Sequence, residues 1–245
     1  MSQIKSQRRR RFDRKRIATR FAVAGKRFAD RITFALLAVL ATALTSSASE
    51  LTVSVIDRDG RGVSGVVVTV ASVSTRASAP AAAKATAVMD QQHLTFDPSV
   101  LVVAVGTSVE FPNNDSVSHQ VYSFSHAKNF QLPLYKGQRH PPVIFEQTGL
   151  VVLGCNIHDE MVGYIYVTDA PFFGKTDSSG SLRLVNLPAG DYQATVWSPF
   201  IADPPEGLIG VVQVATQEAA TSRVLLKHDL RARPEPRPRR GDWEY

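Results

Sequence analysis

Residues Gly154 to Met161 read Gly-Cys-Asn-Ile-His-Asp-Glu-Met, a C-x2-H-x2-M spacing that offers a thiolate, an imidazole and a thioether within seven residues. Soft sulfur donors beside an imidazole suit copper, which has to be held in two oxidation states. Zinc recruits further Cys or His and rarely takes Met. Cys155 is the single cysteine of the 245 residues, so no internal disulfide competes for it. A buried, inert thiol is the ordinary role for such a residue, and the neighbouring donors argue against it here.

A His2Cys trigonal site with a weak axial Met needs one more histidine from elsewhere in the chain. His119 fits: it begins an expected strand after the turn-rich stretch Phe111–Ser118 and stands 36 residues before Cys155. The alternatives are His93 at the start of another expected strand, His126 just past the end of one, and His140 in a Pro-flanked loop. Taken singly, each histidine fits a structural or surface role as well.

Such donors meet only if Cys155 to Met161 form a loop between two strands and His119 comes from a different strand at the same end. The pattern after Leu51 supplies strands throughout. Leu51, Val53 and Val55 alternate, Asp57-Arg58-Asp59-Gly60 is a turn signal, and Val66 to Val73 is a second apolar run. Residues 74–85, rich in Ser and Ala, read as a linker. Strands are expected at Thr86–Met89, His93–Phe96, Leu101–Val105, Ser108–Phe111, His119–Phe124, Val143–Phe145, Leu150–Leu153 and Tyr164–Val167, and further ones follow Thr176. Short strands at this spacing predict an all-β fold, a sandwich or barrel.

Charge separates the chain into unlike parts. The formal net charge is +6, but residues 1–48 hold twelve Lys/Arg and two Asp, and residues 49–226 sit near −6. A nucleic-acid partner would therefore be served only by the two ends, so none is expected. The basic stretch to Arg31, the apolar run Ile32–Leu44 and Ser46-Ser47-Ala48 make a secretory signal peptide over residues 1–48, hence a periplasmic location. An uncleaved anchor is the alternative; after cleavage no stable membrane association is expected. Residues 229–245, rich in Arg and Pro, read as a disordered tail.

Residues 94–167 resemble a plastocyanin- or amicyanin-type cupredoxin. The likeness is carried by Leu94-Thr95-Phe96-Asp97-Pro98, Val105-Gly106, Val109, Phe111 and Asn113-Asn114 before His119. It continues with Gly149 six residues before Cys155 and with Met161-Val162-Gly163-Tyr164-Ile165-Tyr166-Val167. The two-residue gap between His158 and Met161 is similar to the shorter amicyanin- or pseudoazurin-like loop. Gln120 and Asp159 depart from the family's usual Asn and Pro. The wider chain resembles plastocyanin-like proteins of the "methylamine utilization" type, through Gly154–Asp159 and Val121-Tyr122-Ser123-Phe124-Ser125. Residues 49–75 and 170–228 resemble two parts of a transthyretin-like or carboxypeptidase-regulatory-like β domain around a cupredoxin domain at 86–169.

The resemblance implies a Greek-key β-sandwich associated with a second sandwich, and one mononuclear type 1 copper ion held by His119, Cys155, His158 and Met161. It implies one-electron transfer to a redox protein such as a cytochrome or a dehydrogenase, with His158 as the electron port. Met161, Val162, Phe172 and Phe173 would supply apolar surface beside it, with core burial the alternative for Phe172 and Phe173. Copper oxidases and reductases need further copper held by clustered histidines, often H-x-H pairs, and the six histidines form none, so no enzyme activity is expected. A copper-binding or structural β protein that moves no electrons is the remaining class.

Overall fold

A computed structural model describes residues 49–73, 85–137, 140–201, 207–214 and 220–225. The expected signal peptide, the linker over 74–84 and the tail lie outside these residues. All regular structure among them is β, and none of it is a helix long and apolar enough to cross a membrane.

The first strand, β1 (Ser49–Ile56), alternates buried and half-buried residues, the period-two mark of a strand with one face in a core. In β2 (Val67–Ser72) the first four residues are all buried, because both faces of the strand are covered. The middle of the chain supplies β3 (Thr86–Val88), β4 (Asp90–Gln92), β5 (Thr95–Asp97), β6 (Val100–Ala104) and β7 (Thr107–Glu110). It continues with β8 (Tyr122–Ser125), β9 (Lys128–Gln131), β10 (Val143–Phe145), β11 (Gly149–Gly154) and β12 (Val162–Thr168). The remainder gives β13 (Phe172–Lys175), β14 (Ser181–Leu187), β15 (Gly190–Trp197), β16 (Gly207–Val214) and β17 (Ala220–Leu225).

Strands of the middle segment form a five-stranded sheet, β6-β12-β11-β8-β9, a three-stranded sheet, β10-β7-β3, and the β4-β5 pair. Their inward side chains make one core that includes Phe96, Val109, Phe111, Phe145, Val151, Leu153 and Ile165, together with Cys155 and Met161. The flanking strands form the sheets β14-β1-β17 and β13-β2-β15-β16 around a second core of Leu51, Val53, Val68, Val70, Leu184 and Val196. The chain leaves this second structure after β2 and returns to it at β13, since β2 pairs with both β13 and β15.

A third cluster joins the two. Val67 and Trp197 meet Val100 from β6, and Tyr164 and Tyr166 of β12 pack on the Trp197 ring at 5.8 and 5.5 Å. Side chains alternate across β12, so Ile165 and Val167 face the first core while Tyr164 and Tyr166 face the tryptophan.

Two expected strands differ. His93 and Leu94 form the tip of the β4-β5 hairpin, with φ of 53° and 61°, rather than the start of a strand. Two adjacent left-handed residues make the turn whose twist suits a hairpin. Neither residue is Gly or Asn, and the Leu94 N–H is held by Asp115 Oδ2 at 2.7 Å. His119 precedes β8 and makes an isolated bridge to Tyr135, because its backbone pairs with that residue alone.

Candidate metal centre

β11 delivers Cys155. The Tyr122 ring packs directly on Gly154 before it, where an added Cβ would lie 2.7 Å from the ring. The chain then turns tightly: the Met161 N–H donates to the His158 carbonyl at 2.9 Å and the Val162 N–H to the Glu160 carbonyl at 3.0 Å. β12 leaves immediately, with Gly163 opposite Leu153. The loop is thus anchored at both ends by one antiparallel pair.

The facing loop is fixed by polar side chains. Asn113, buried, donates from Nδ2 to the carbonyls of Val117 (3.0 Å) and Tyr135 (2.8 Å), and its Oδ1 accepts the Asp115 N–H at 3.0 Å. His119 and Tyr135 exchange backbone hydrogen bonds, both at 3.0 Å. The His119 ring, fully buried, can therefore point in few directions.

These two loops bring His119, Cys155 and His158 together. The Nδ1 atoms of the two histidines lie 3.1 Å apart, and Cys155 Sγ is 3.8 Å from His119 Nδ1 and 3.7 Å from His158 Nδ1. For metal–nitrogen distances of about 2.0 Å and a metal–sulfur distance of about 2.3 Å, trigonal donors stand about 3.5–3.8 Å apart. Both sulfur edges fall in that range and the nitrogen edge is a little shorter. A proton on one nitrogen satisfies a single edge of this triangle; a metal ion satisfies all three. The residues fit a mononuclear metal centre with one thiolate and two imidazoles.

Protonation is arranged to match. His119 Nε2 lies 3.0 Å from Asp115 Oδ2, so the ring donates there and leaves the Nδ1 lone pair toward the cluster. Burial pushes the Asp115 carboxyl up, but donation from the Leu94 N–H, from the His119 ring and from the Ser116 N–H outweighs it and holds the group below the usual carboxylate range. Burial, and next the proximity of His119, lower His158; Asp115 opposes this in part. A lowered value disfavours the charged ring, and a neutral imidazole keeps one ring nitrogen free to donate a lone pair.

Met161 is buried in the same core as Cys155. His93 and His126 are exposed, and His140 stacks edge-on against Tyr135 with ring centroids 4.4 Å apart. None of these three histidines joins the cluster. Asp159 and Glu160, the carboxylates nearest His158 in sequence, are exposed. The carboxylate that touches a cluster residue is Asp115, which the sequence reading did not single out. Its signal was an Asn-Asn-Asp-Ser run with the aspartate four residues before His119. Of the four apolar residues proposed to surround His158, Met161 is in the core and Phe172 packs on Tyr192 in the second core (6.1 Å). Val162, 42% exposed, does face solvent, as does Ile157 at 50%.

No protein-family model matches the chain, and no curated protein matches it. Among solved structures, a purple cupredoxin from Nitrosopumilus maritimus is 27% identical over 35% of this chain and all of that one, with a TM-score of 0.30. An oxidised amicyanin variant is 22% identical over 37% of this chain and 90% of that one, at 0.32. A copper-containing nitrite reductase from Thermus scotoductus is 28% identical over 40% of this chain and 25% of that one, at 0.32. At these scores the functional reading rests on the cluster's own geometry.

Proposed function

We propose that this protein is an exported carrier of single electrons, with one type 1 copper ion held by His119, Cys155 and His158 and weakly by Met161. The supporting observation is the triangle of two Nδ1 atoms and one sulfur, each edge between 3.1 and 3.8 Å, on a buried and hydrogen-bonded frame. When bound, copper supplies a one-electron Cu(II)/Cu(I) couple at a site with a soft thiolate donor.

The chain's residues do the rest. β11 and β12 fix Cys155 and Met161 at the two ends of one short loop, so the donors move little when the charge of the site changes. Burial of His119 and Cys155 keeps water away from the thiolate. His158 is half-buried, with exposed Ile157 beside it, and is the donor through which electrons leave. The partner is a redox protein, a cytochrome or a dehydrogenase, met in the periplasm; no catalytic step on a substrate is assigned.

The test is a redox cycle. The purified mature chain is loaded with Cu(II), bleached with ascorbate and mixed with oxidised cytochrome c. An intense visible thiolate-to-copper band that disappears with ascorbate and returns as the cytochrome is reduced supports the carrier. A band that bleaches but never passes its electron on defeats electron carriage while leaving copper binding intact.

A further inference from the structure

The carboxylate of Asp115 has no part in the donor triangle, yet it is built into the site more firmly than any other charged group near it. Its side chain is 9% exposed and that of His119 0%. One oxygen, Oδ2, receives both the Leu94 N–H at 2.7 Å and the far nitrogen of His119 at 3.0 Å. The other, Oδ1, receives the Ser116 N–H at 2.7 Å. The Asp115 N–H is itself held by Asn113, which is held by Tyr135, whose backbone is paired with His119. The aspartate therefore closes a ring of contacts that begins and ends on His119.

The Leu94 contact adds weight. Leu94 sits at φ 61° and His93 at φ 53°, a conformation that non-glycine residues hold only when their surroundings impose it, at a cost on the order of 1–3 kcal/mol each. The strained tip of the β4-β5 hairpin is where the chain presents an N–H to the aspartate. The His158 ring, by contrast, has only Nδ1 contacts among its hydrogen bonds to described residues, to His119 and Cys155.

We infer that Asp115 is a positioning residue for the metal centre: the relay Leu94 N–H, Asp115, His119 locks His119 in one tautomer and places a fixed anion behind it. The locked tautomer keeps the Nδ1 lone pair on the cluster. The anion favours the more highly charged oxidised state of a bound metal, and so lowers the reduction potential. This rests on the copper reading for the second effect only; the first is a property of the metal-free chain.

Three variants test it: Asp115→Ala, Asp115→Asn and Asp115→Glu, each checked for folding by circular dichroism. In the metal-free protein at fixed pH, nitrogen-15 NMR of the imidazoles is expected to show His119 solely as the Nε2–H tautomer. In Asp115→Ala that single tautomer becomes a mixture. In the copper-loaded protein, Asp115→Ala weakens copper affinity about 10–100-fold, as loss of an outer partner typically does. Asp115→Asn, which keeps the shape and loses the charge, raises the potential, and Asp115→Glu returns it toward the native value. An unchanged tautomer in Asp115→Ala, or an unchanged potential in Asp115→Asn, overturns the assignment. If Asp115→Ala does not fold, the potential of Asp115→Asn decides. If the native chain takes up no copper, the copper reading fails and the NMR comparison still decides the role of Asp115.

Discussion

Gly163 lies against the ring of Phe96: a Cβ added to the glycine would stand 2.9 Å from Cβ, Cγ and Cδ2 of the phenylalanine. Phe96 is on β5, Gly163 is the second residue of β12, and Met161 is two residues away. The contact thus sets how closely the hairpin that carries Leu94 approaches the strand that closes the donor loop. Gly163→Ala is expected to destabilise by about 1–3 kcal/mol through overpacking. Chemical denaturation measures this, and the loaded variant should release copper faster than the native chain.

Asp90 predicts a pH dependence of stability. Burial pushes its carboxyl up, but hydrogen bonds from the side chains of Asn114 and Gln92 and from the Gln91 and Asn114 N–H groups outweigh that and hold it low. A depressed folded pKa gives stability that is present above the unfolded value of about 3.9 and is lost as pH falls through the lower folded value. The contribution is under about 1 kcal/mol for a carboxyl largely screened by solvent. Thermal midpoints of the native chain and Asp90→Asn should differ at pH 6, and the difference should shrink as pH falls below the unfolded value of about 3.9.

Tyr135 separates stability from spectrum. Its buried phenol donates to the Phe111 carbonyl and accepts from Gln91 Nε2, and burial above all raises its pKa to about 12, so it stays protonated. Tyr135→Phe removes both bonds at a cost of about 1–3 kcal/mol. His119 is held by the Tyr135 backbone, which the substitution leaves in place. The expected result is a lower denaturation midpoint with an unchanged visible band.

Ionic strength tests the choice of partner. With residues 49–226 near −6, and Asp159 and Glu160 exposed beside His158, the carrier should meet basic partners at a rate that falls steeply with salt. Stopped-flow rates with a basic cytochrome should drop about tenfold or more between low and physiological salt. A flat profile would remove electrostatic steering from the account.

Cys155 and His158 were legible because they are local: a strand, a seven-residue loop that also carries Met161, and another strand place them without reference to the rest of the chain. The all-β character was legible from period-two runs such as Leu51, Val53 and Val55. The apolar run Val66 to Val73 was legible as a strand, and the structure adds that Val67 to Val70 are buried on both of its faces. Long-range effects were not legible. The parallel pairing of β1 with β17 joins residues about as far apart as the folded body allows. The hairpin tip at His93-Leu94 lacks any Gly, Asn or Pro, and the contact that holds it comes from Asp115, 21 residues further along the chain. Asp115 itself reads as one more polar loop residue until Leu94 and His119 close on it.

The most direct measurement is copper K-edge X-ray absorption on the loaded native chain, with metal content determined in parallel. The account predicts about one copper per chain, with one short sulfur scatterer at about 2.3 Å or less and two nitrogen scatterers near 2.0 Å. The sulfur signal should vanish in Cys155→Ser. A copper environment of nitrogen and oxygen alone in the native chain, or one unaltered by Cys155→Ser, would contradict it.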